Sequence, residues 1–363
     1  MTKTYFKGWI DDFDPTKPLI VAGPCSAETE RQVLQTAEQI KACNVKIFRA
    51  GIWKPRTRPG GFEGVGAIGL KWLEKVKHET GLLIATEVAT KTHIELALEH
   101  NVDVLWIGAR TTANPFAVQE IAETLENTDK IVLIKNPINP DLSLWIGGLE
   151  RLYKAGIKKL GVIHRGFSTY EKTKYRNNPK WQIPIEMQSR FPDLPMFCDP
   201  SHISGNRNAI TQISQQALDL NYDGLMIETH INPDQAWSDA RQQITPETLK
   251  FILNNLKVRK QTEEDFDFVS RLNKLRLQID ETDEKILEII GKRMKIVEQI
   301  GNLKREKNVA ILQAQRWQEI LNKMLEIGKE KKLNQDFILN LFKAIHQESI
   351  SHQGAIINKN IGF

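Results

Sequence analysis

Four side chains able to bind a metal are scattered along the sequence but recur at matching places in its pattern: Cys25, His202, Glu228 and Asp239. Cys25 closes the apolar run PLIVAGPCS, His202 closes PMFCDPSH, Glu228 lies in LMIETH, and Asp239 follows in WSDARQQ. A thiolate, an imidazole and two carboxylates suit a divalent manganese, iron, cobalt or zinc ion, whereas magnesium seldom recruits sulfur. Taken singly, Cys25 could be a small buried hydrophobe and His202 a packed core histidine. Their shared position at the ends of apolar runs favours one common site.

A second set is cationic. Arg49, Lys54 and Arg56 lie in FRAGIWKPRTRP, while Arg110, Lys135 and Arg165 end the runs VLWIGAR, IVLIKNP and LGVIHRG. Cations gathered in one mouth repel each other unless anions join them, and arginine forks fit phosphate and carboxylate oxygens. The alternative is a ring of salt bridges to Glu87, Asp199 and Glu228, which would leave several cations unpaired. A metal beside phosphate-binding cations points to the joining of a phosphorylated nucleophile to a phosphorylated carbonyl compound, the metal polarising the carbonyl.

These groups need a scaffold that brings distant run-ends together. Eight short apolar runs occur before residue 231: the six above with VKIFRAG and GLLIATE. Each is followed by a stretch with room for a helix, the signature of parallel strands joined by crossovers. Eight such units close a barrel whose active site lies at the C-terminal strand ends. The expected fold class is therefore α/β, a (β/α)8 TIM barrel, followed by an all-α domain.

Composition agrees. At 363 residues the chain exceeds one ordinary core, so two domains are expected: a barrel over 1–256, a linker over 257–264 and a helical domain over 265–357. With 40% hydrophobic and 26% charged residues, no apolar stretch near the ~20 residues of a membrane span and no apolar core in the leading residues, the expectation is a cytoplasmic protein without membrane association. Fewer than about 20 residues precede the first strand, so no separate regulatory domain is expected ahead of the barrel. Three cysteines make no even disulfide framework. The net charge of +5 is spread among interspersed lysines and glutamates without an aromatic-basic stripe, which argues against nucleic acid as a partner.

From Phe266 to Glu306 the pattern turns helical, with Leu272, Leu275, Ile279, Ile286, Ile290, Val297 and Ile300 at helical spacing and no proline. Further helices are expected over 313–330 and after Asn334. So long a first helix cannot bury its seam on two shorter ones, which predicts a homodimer through this domain and leaves a tetramer open. Arg293 and Lys304 fall on one face roughly 16 Å apart, spaced to close on a small dianion from both ends. A coiled coil with solvated charges is the alternative.

The motifs GPCSAE, KPRT, GAR, IKNP, HRG, DPSH and ETH, in this order, resemble those of the 3-deoxy-D-arabino-heptulosonate 7-phosphate (DAHP) synthases of the compact type Iβ, over about residues 15–256. The resemblance implies phosphoenolpyruvate and D-erythrose 4-phosphate as substrates. It places Cys25, His202, Glu228 and Asp239 on the metal ligands, and Arg49, Lys54, Arg110, Lys135 and Arg165 on phosphoenolpyruvate. Arg56 and Thr57 fall on the erythrose phosphate, and Lys54, Lys135 and His202 on the catalytic groups. A sister family making 3-deoxy-octulosonate 8-phosphate typically carries asparagine where Pro55 stands, so Pro55 favours the four-carbon aldehyde. GGFEG departs from the SPYSFQG-like string of the compact subtype, which bears on the edge of the aldehyde pocket.

LxxLRxxIDxxDxxIL, Leu272 to Leu287, followed by Arg293, Lys304, Arg316, Ser349 and Gln353, resembles the all-helical chorismate mutases over about residues 265–355. That resemblance implies an intertwined dimer in which Arg276 reaches the partner's site. Arg293, Arg316 and Lys304 would hold chorismate or prephenate, Ser349 would line the pocket, and Gln353 would donate to the ether oxygen. Trp317 and Gln313 stand where a glutamate and an aspartate are frequent. A noncatalytic module that dimerises and senses prephenate or chorismate therefore remains the alternative for this half.

Overall fold

The computed structural model of the chain describes residues 6–14, 16–54, 60–170, 173–259 and 265–358. The chain divides into two compact units, Met1–Gln261 and Thr262–Phe363.

The first unit is a closed barrel of eight parallel strands in sequence order: β1 (Leu19–Gly23), β2 (Ile47–Arg49), β3 (Leu83–Val88), β4 (Val104–Ile107), β5 (Ile131–Lys135), β6 (Leu160–His164), β7 (Met196–Cys198) and β8 (Gly224–Glu228). β8 closes on β1 in parallel, with Leu19 opposite Gly224 and Gly23 opposite Glu228. Helices such as Glu30–Lys41, Ile68–Thr80, Leu142–Lys154 and Pro246–Asn255 cover the outside. Local signals set several of their starts: Thr29, Thr90, Asp141 and Thr245 each accept a backbone N–H as N-cap.

Side chains alternate across each strand, and this parity separates two apolar clusters. Leu19, Val21, Ile47, Ala85, Val104, Trp106, Leu133, Ile163, Phe197 and Met226 fill the barrel interior. Ile20, Ala22, Phe48, Ile84, Leu105, Ile134, Val162, Cys198 and Ile227 face the helices. Two residues beyond an inward position, parity again points inward: Ile47 leads to Arg49, Ala85 to Glu87, Leu133 to Lys135, Ile163 to Arg165, Phe197 to Asp199 and Met226 to Glu228. The site is thus the polar continuation of the barrel's own core. Trp9, on a short 3-10 helix (Lys7–Asp12), joins the interior cluster, stacks on Phe197 at 6.2 Å and donates its indole N–H to Leu160 O at 2.8 Å. Sequence reading had no reason to expect this plug, because Trp9 precedes every strand.

Gly23 has φ +143, and a Cβ there would meet the Arg49 carbonyl oxygen at 2.1 Å. Only glycine lets the end of β1 approach β2 so closely, which brings Cys25 beside Arg49.

The second unit has three helices: Phe266–Glu306 with 41 residues, Ala314–Glu330, and Gln335–Ile357. The third packs along the first, and Met294, Val297 and Ile338 are buried. The first half of the long helix has no such cover: Leu275, Ile279 and Leu287 are 57%, 58% and 70% exposed. Among the described residues no helix is long and apolar enough to cross a membrane.

Candidate active sites

At the C-terminal mouth of the barrel the acids and cations interleave. Cys25 Sγ lies 3.3 Å from Asp239 Oδ2, and the Lys54 ammonium donates to the same sulfur at 2.6 Å. Arg49 pairs with Glu228 Oε1 at 3.4 Å, while His202 Nδ1 stands 2.8 Å from Asp199 Oδ2 and 3.8 Å from Glu228 Oε1. Lys135 donates to Asp199 Oδ2 at 2.7 Å. The Arg49 guanidinium also lies over the Trp106 ring at 4.7 Å, and the Trp106 indole donates to Glu87 Oε2 at 3.1 Å. A guanidinium between a carboxylate and an aromatic face is held rigidly with its other nitrogens spare. Buried Arg49 Nε and one terminal nitrogen take no partner among the described residues. Buried donors in that state at the C-terminal end of the barrel are prepared for an anion.

The salt-bridge ring weighed from the sequence forms in part, through Arg49–Glu228 and Lys135–Asp199. It does not use up the cations. Arg165 donates to Asn177 Oδ1 at 2.7 Å and to its own loop at Gly166 O, and burial, only partly offset by Asp199, lowers its pKa to about 10. Arg110 is exposed on the short helix after β4, and its charge further depresses Arg165. Arg56 and Thr57, with Pro55, lie outside the described residues.

The electrostatics follow from burial set against neighbours. Burial first, then the Glu228 charge, pushes the Cys25 thiol up to about 12, against Lys54 and Arg49, which pull it down. For Lys54, burial opposes the ammonium, but Cys25 and Glu228 outweigh it and raise its pKa. Burial alone would lift Asp239, Asp199 and Glu228. Instead Arg176 and His202 hold Asp239 down, His202 and Lys135 hold Asp199 far down, and His202 and Arg49 hold Glu228 down. Three ionised carboxylates therefore face one mouth. Asp239 sits at φ +48, a left-handed conformation that aspartate tolerates better than most residues.

Among the described residues no three of His, Cys, Asp and Glu are gathered as a metal centre. The four anticipated ligands are brought to one mouth as two close pairs, Cys25 with Asp239 and His202 with Glu228, and the Lys54 ammonium sits at the thiol. The donor chemistry nonetheless fits a divalent ion. Glu228 Oε1 is buried without a hydrogen bond, Asp239 Oδ2 faces the sulfur, and Asp199 Oδ2 stands 2.8 Å from His202 Nδ1, the placement of an outer carboxylate beside a metal-binding imidazole.

Several residues here escaped sequence reading. Asp199 entered only as a salt-bridge partner, although parity two beyond Phe197 identifies it. Asn136 accepts the Arg165 backbone N–H at 2.7 Å, and Asn177 ties the Arg165 loop to His202 O at 2.6 Å. Arg176, Gln242 and Gln243 carried no pattern signal, since all three sit on irregular or 3-10 backbone.

In the helical unit, Arg293 donates to Ser349 Oγ at 2.5 Å, and Gln353 is buried with Oε1 unpartnered among the described residues. Lys304 reaches back to Ile311 O at 2.5 Å. Arg276 and Arg316 are exposed, the first beside Asn273 at 3.4 Å and the second paired with Glu319 at 3.1 Å. A single copy thus assembles Arg293, Ser349 and Gln353 but leaves Arg276 and Arg316 facing outward. Trp317 stacks on His346 with centroids 4.1 Å apart and planes at 13°.

Residues 13–263 match the DAHP synthetase I family and residues 275–354 match chorismate mutase type II. The chain is 29% identical over 238 residues to the phospho-2-dehydro-3-deoxyheptonate aldolase of Thermotoga maritima, covering 66% of this chain and 68% of that protein. It is 26% identical over 268 residues to the 2-dehydro-3-deoxyphosphooctonate aldolase of Wolinella succinogenes, covering 66% and 97%. The crystal structure of the Thermotoga maritima DAHP synthase superposes with a TM-score of 0.59 at 28% identity, covering 66% of this chain and 68% of that one. A truncated form of the same enzyme gives 0.58 at 26% identity, covering 66% and 85%. The chain belongs to the DAHP synthetase I family, and its barrel is fused to a chorismate mutase type II domain.

Proposed function

We propose that the barrel condenses phosphoenolpyruvate with D-erythrose 4-phosphate and water to give DAHP and phosphate, and that the helical unit converts chorismate to prephenate. The observation that carries the first half is the interleaving of ionised carboxylates, a thiol and buried cations, among them Arg49 with two unpartnered nitrogens, at one barrel mouth, in a chain of this family. Cys25, His202, Glu228 and Asp239 would hold a divalent ion, whose chemistry is to polarise the aldehyde carbonyl. Lys135 and Arg165, with Arg49 held between Glu228 and Trp106, bind the phosphate and carboxylate of phosphoenolpyruvate, so its C3 faces the aldehyde. Arg56 and Thr57 take the aldehyde's phosphate. As the C–C bond forms, Lys54 supplies a proton to the aldehyde oxygen. Water then adds at C2, and the C2–O bond breaks to release inorganic phosphate.

The chorismate reaction needs no covalent step. Arg293 and Arg316, with Arg276 from a second copy, hold the carboxylates in a compact conformer, while Lys304 and Gln353 stabilise charge on the ether oxygen as the C–O bond breaks. The exposed apolar first half of the long helix supports a homodimer through this unit. The second reading, a dimerising sensor without turnover, is favoured by Trp317, which lies flat on His346 where a glutamate would engage the substrate hydroxyl.

One experiment tests the whole: the purified chain assayed for both reactions before and after chelation. Condensation lost on chelation and restored by Mn2+ or Co2+, with rearrangement untouched, is the expected outcome. Condensation that persists in metal-free protein removes the metal from the reading, and absent prephenate formation moves the helical unit to the sensor.

A further inference from the structure

Between two of the carboxylates of the barrel mouth, Glu228 and Asp239, lies a side chain with no role in the chemistry above. Gln242 is 1% exposed, donates through Nε2 to Glu228 Oε2 at 2.6 Å, and accepts at Oε1 from Arg176 at 2.6 Å. The same guanidinium nitrogen of Arg176 donates to Asp239 Oδ1 at 2.9 Å. One chain of bonds thus runs Glu228–Gln242–Arg176–Asp239. It occupies one oxygen of each acid; of the other two, Glu228 Oε1 lies 3.4 Å from the Arg49 guanidinium and 3.8 Å from His202, without a hydrogen bond among the described residues, and Asp239 Oδ2 lies 3.3 Å from Cys25 Sγ. The next residue holds the backbone that carries the thiol: Gln243 Oε1 accepts the Cys25 backbone N–H at 2.9 Å, while its Nε2 donates to Ser238 O at 2.8 Å.

We propose that Gln242 is a positioning residue that aims both carboxylates of the metal site, so that their inward oxygens are prepared for a divalent ion before it arrives. The amide is the group this task requires. It must donate to one neighbour and accept from the other at the same end of the side chain, which neither lysine, a donor only, nor a carboxylate, an acceptor only, can do. It also adds no charge between two ionised acids. A carboxylate free to turn pays orientational entropy on binding and samples conformers in which the cation meets one ligand rather than two, and outer-shell partners of metal ligands are worth ~10–100-fold in affinity.

The inference rests on the metal reading of Cys25, His202, Glu228 and Asp239, and the test separates the two. Full-length chain is titrated with Co2+ while the thiolate-to-cobalt charge-transfer absorption is followed, for the native protein, Gln242→Met and Gln242→Asn. Methionine keeps length and volume but neither hydrogen bond; asparagine keeps the amide but is one methylene too short to span both partners. Expected are a charge-transfer band in all three, since Cys25 and Gln243 are unchanged, and Co2+ affinity weakened about 10–100-fold in both variants. Metal-free melting temperatures near the native value certify the fold, and the asparagine variant decides if methionine is not accommodated. At saturating Co2+ the KM for phosphoenolpyruvate should stay within about twofold, because Gln242 holds no substrate. Native affinity in a folded variant overturns the role of Gln242 alone. Absence of the band in native protein overturns the metal reading together with it.

Discussion

His164, the residue before Arg165, offers a stability test that needs no substrate. Its parity points it outward from the barrel, where Nε2 lies 2.7 Å from Pro179 O and Nδ1 lies 3.0 Å from the Tyr222 hydroxyl. A carbonyl can only accept, so Nε2 carries the proton, Nδ1 accepts from Tyr222, and the ring is neutral. Burial lowers its pKa from 6.5 to about 4, with the Pro179 hydrogen bond opposing and the Arg165 charge adding to the fall. The folded value lies below the unfolded one, so between pH 6.5 and about 4 the unfolded chain binds more protons. The stabilisation is complete above the upper value and is lost as pH falls through the window. A shift of this size puts about 3 kcal/mol at stake in full, most of it lost by pH 4.5. His164→Gln supplies a donor and an acceptor that do not titrate. Urea unfolding followed by tryptophan fluorescence reports chiefly on the barrel, which holds every tryptophan except Trp317. The free-energy difference between native protein and His164→Gln should shift by about 2–3 kcal/mol between pH 7 and pH 4.5 in favour of the variant. Parallel pH profiles for the two proteins would refute a neutral buried His164.

Other consequences concern the two activities. Arg165→Ala should lower kcat/KM for phosphoenolpyruvate by about 1.5–3 kcal/mol, roughly 10- to 150-fold, with Arg56→Ala acting mainly on erythrose 4-phosphate; equal losses for both substrates would break the assignment. Lys304→Ala should reduce kcat for prephenate formation more than it raises KM, because its contact strengthens only as the C–O bond breaks. Mixed dimers of Arg276→Ala and Lys304→Ala chains should regain activity through hybrid sites, whereas verified heterodimers without rescue would argue against a shared site. If prephenate inhibits the condensation by weakening phosphoenolpyruvate binding, phosphoenolpyruvate must weaken prephenate binding by the same factor, which calorimetry on the full chain measures.

What could be read from the sequence is what period and order encode. Eight apolar runs with polar ends are enough to specify a parallel closed barrel, and the same alternation that buries Ile47, Leu133, Ile163 and Met226 inside it turns Arg49, Lys135, Arg165 and Glu228 into its mouth. Helical spacing likewise marked the long first helix of the second unit, while Ser349, which accepts from Arg293, was legible only through the resemblance to the chorismate mutases. The tertiary structure alone decided the pairings. Nothing in WSDARQQ indicates that Gln242 spans two acids, that Gln243 holds the Cys25 amide, or that Arg176 arrives from the β6 loop to meet Asp239. Those contacts join residues up to 218 apart on irregular backbone, where no periodicity fixes the direction of a side chain. The Trp9 plug and the Trp317–His346 stack belong to the same class. Periodicity tells which face a residue takes within its own element; which neighbour it meets across the fold depends on where closure of the barrel and packing of the helices place every other element.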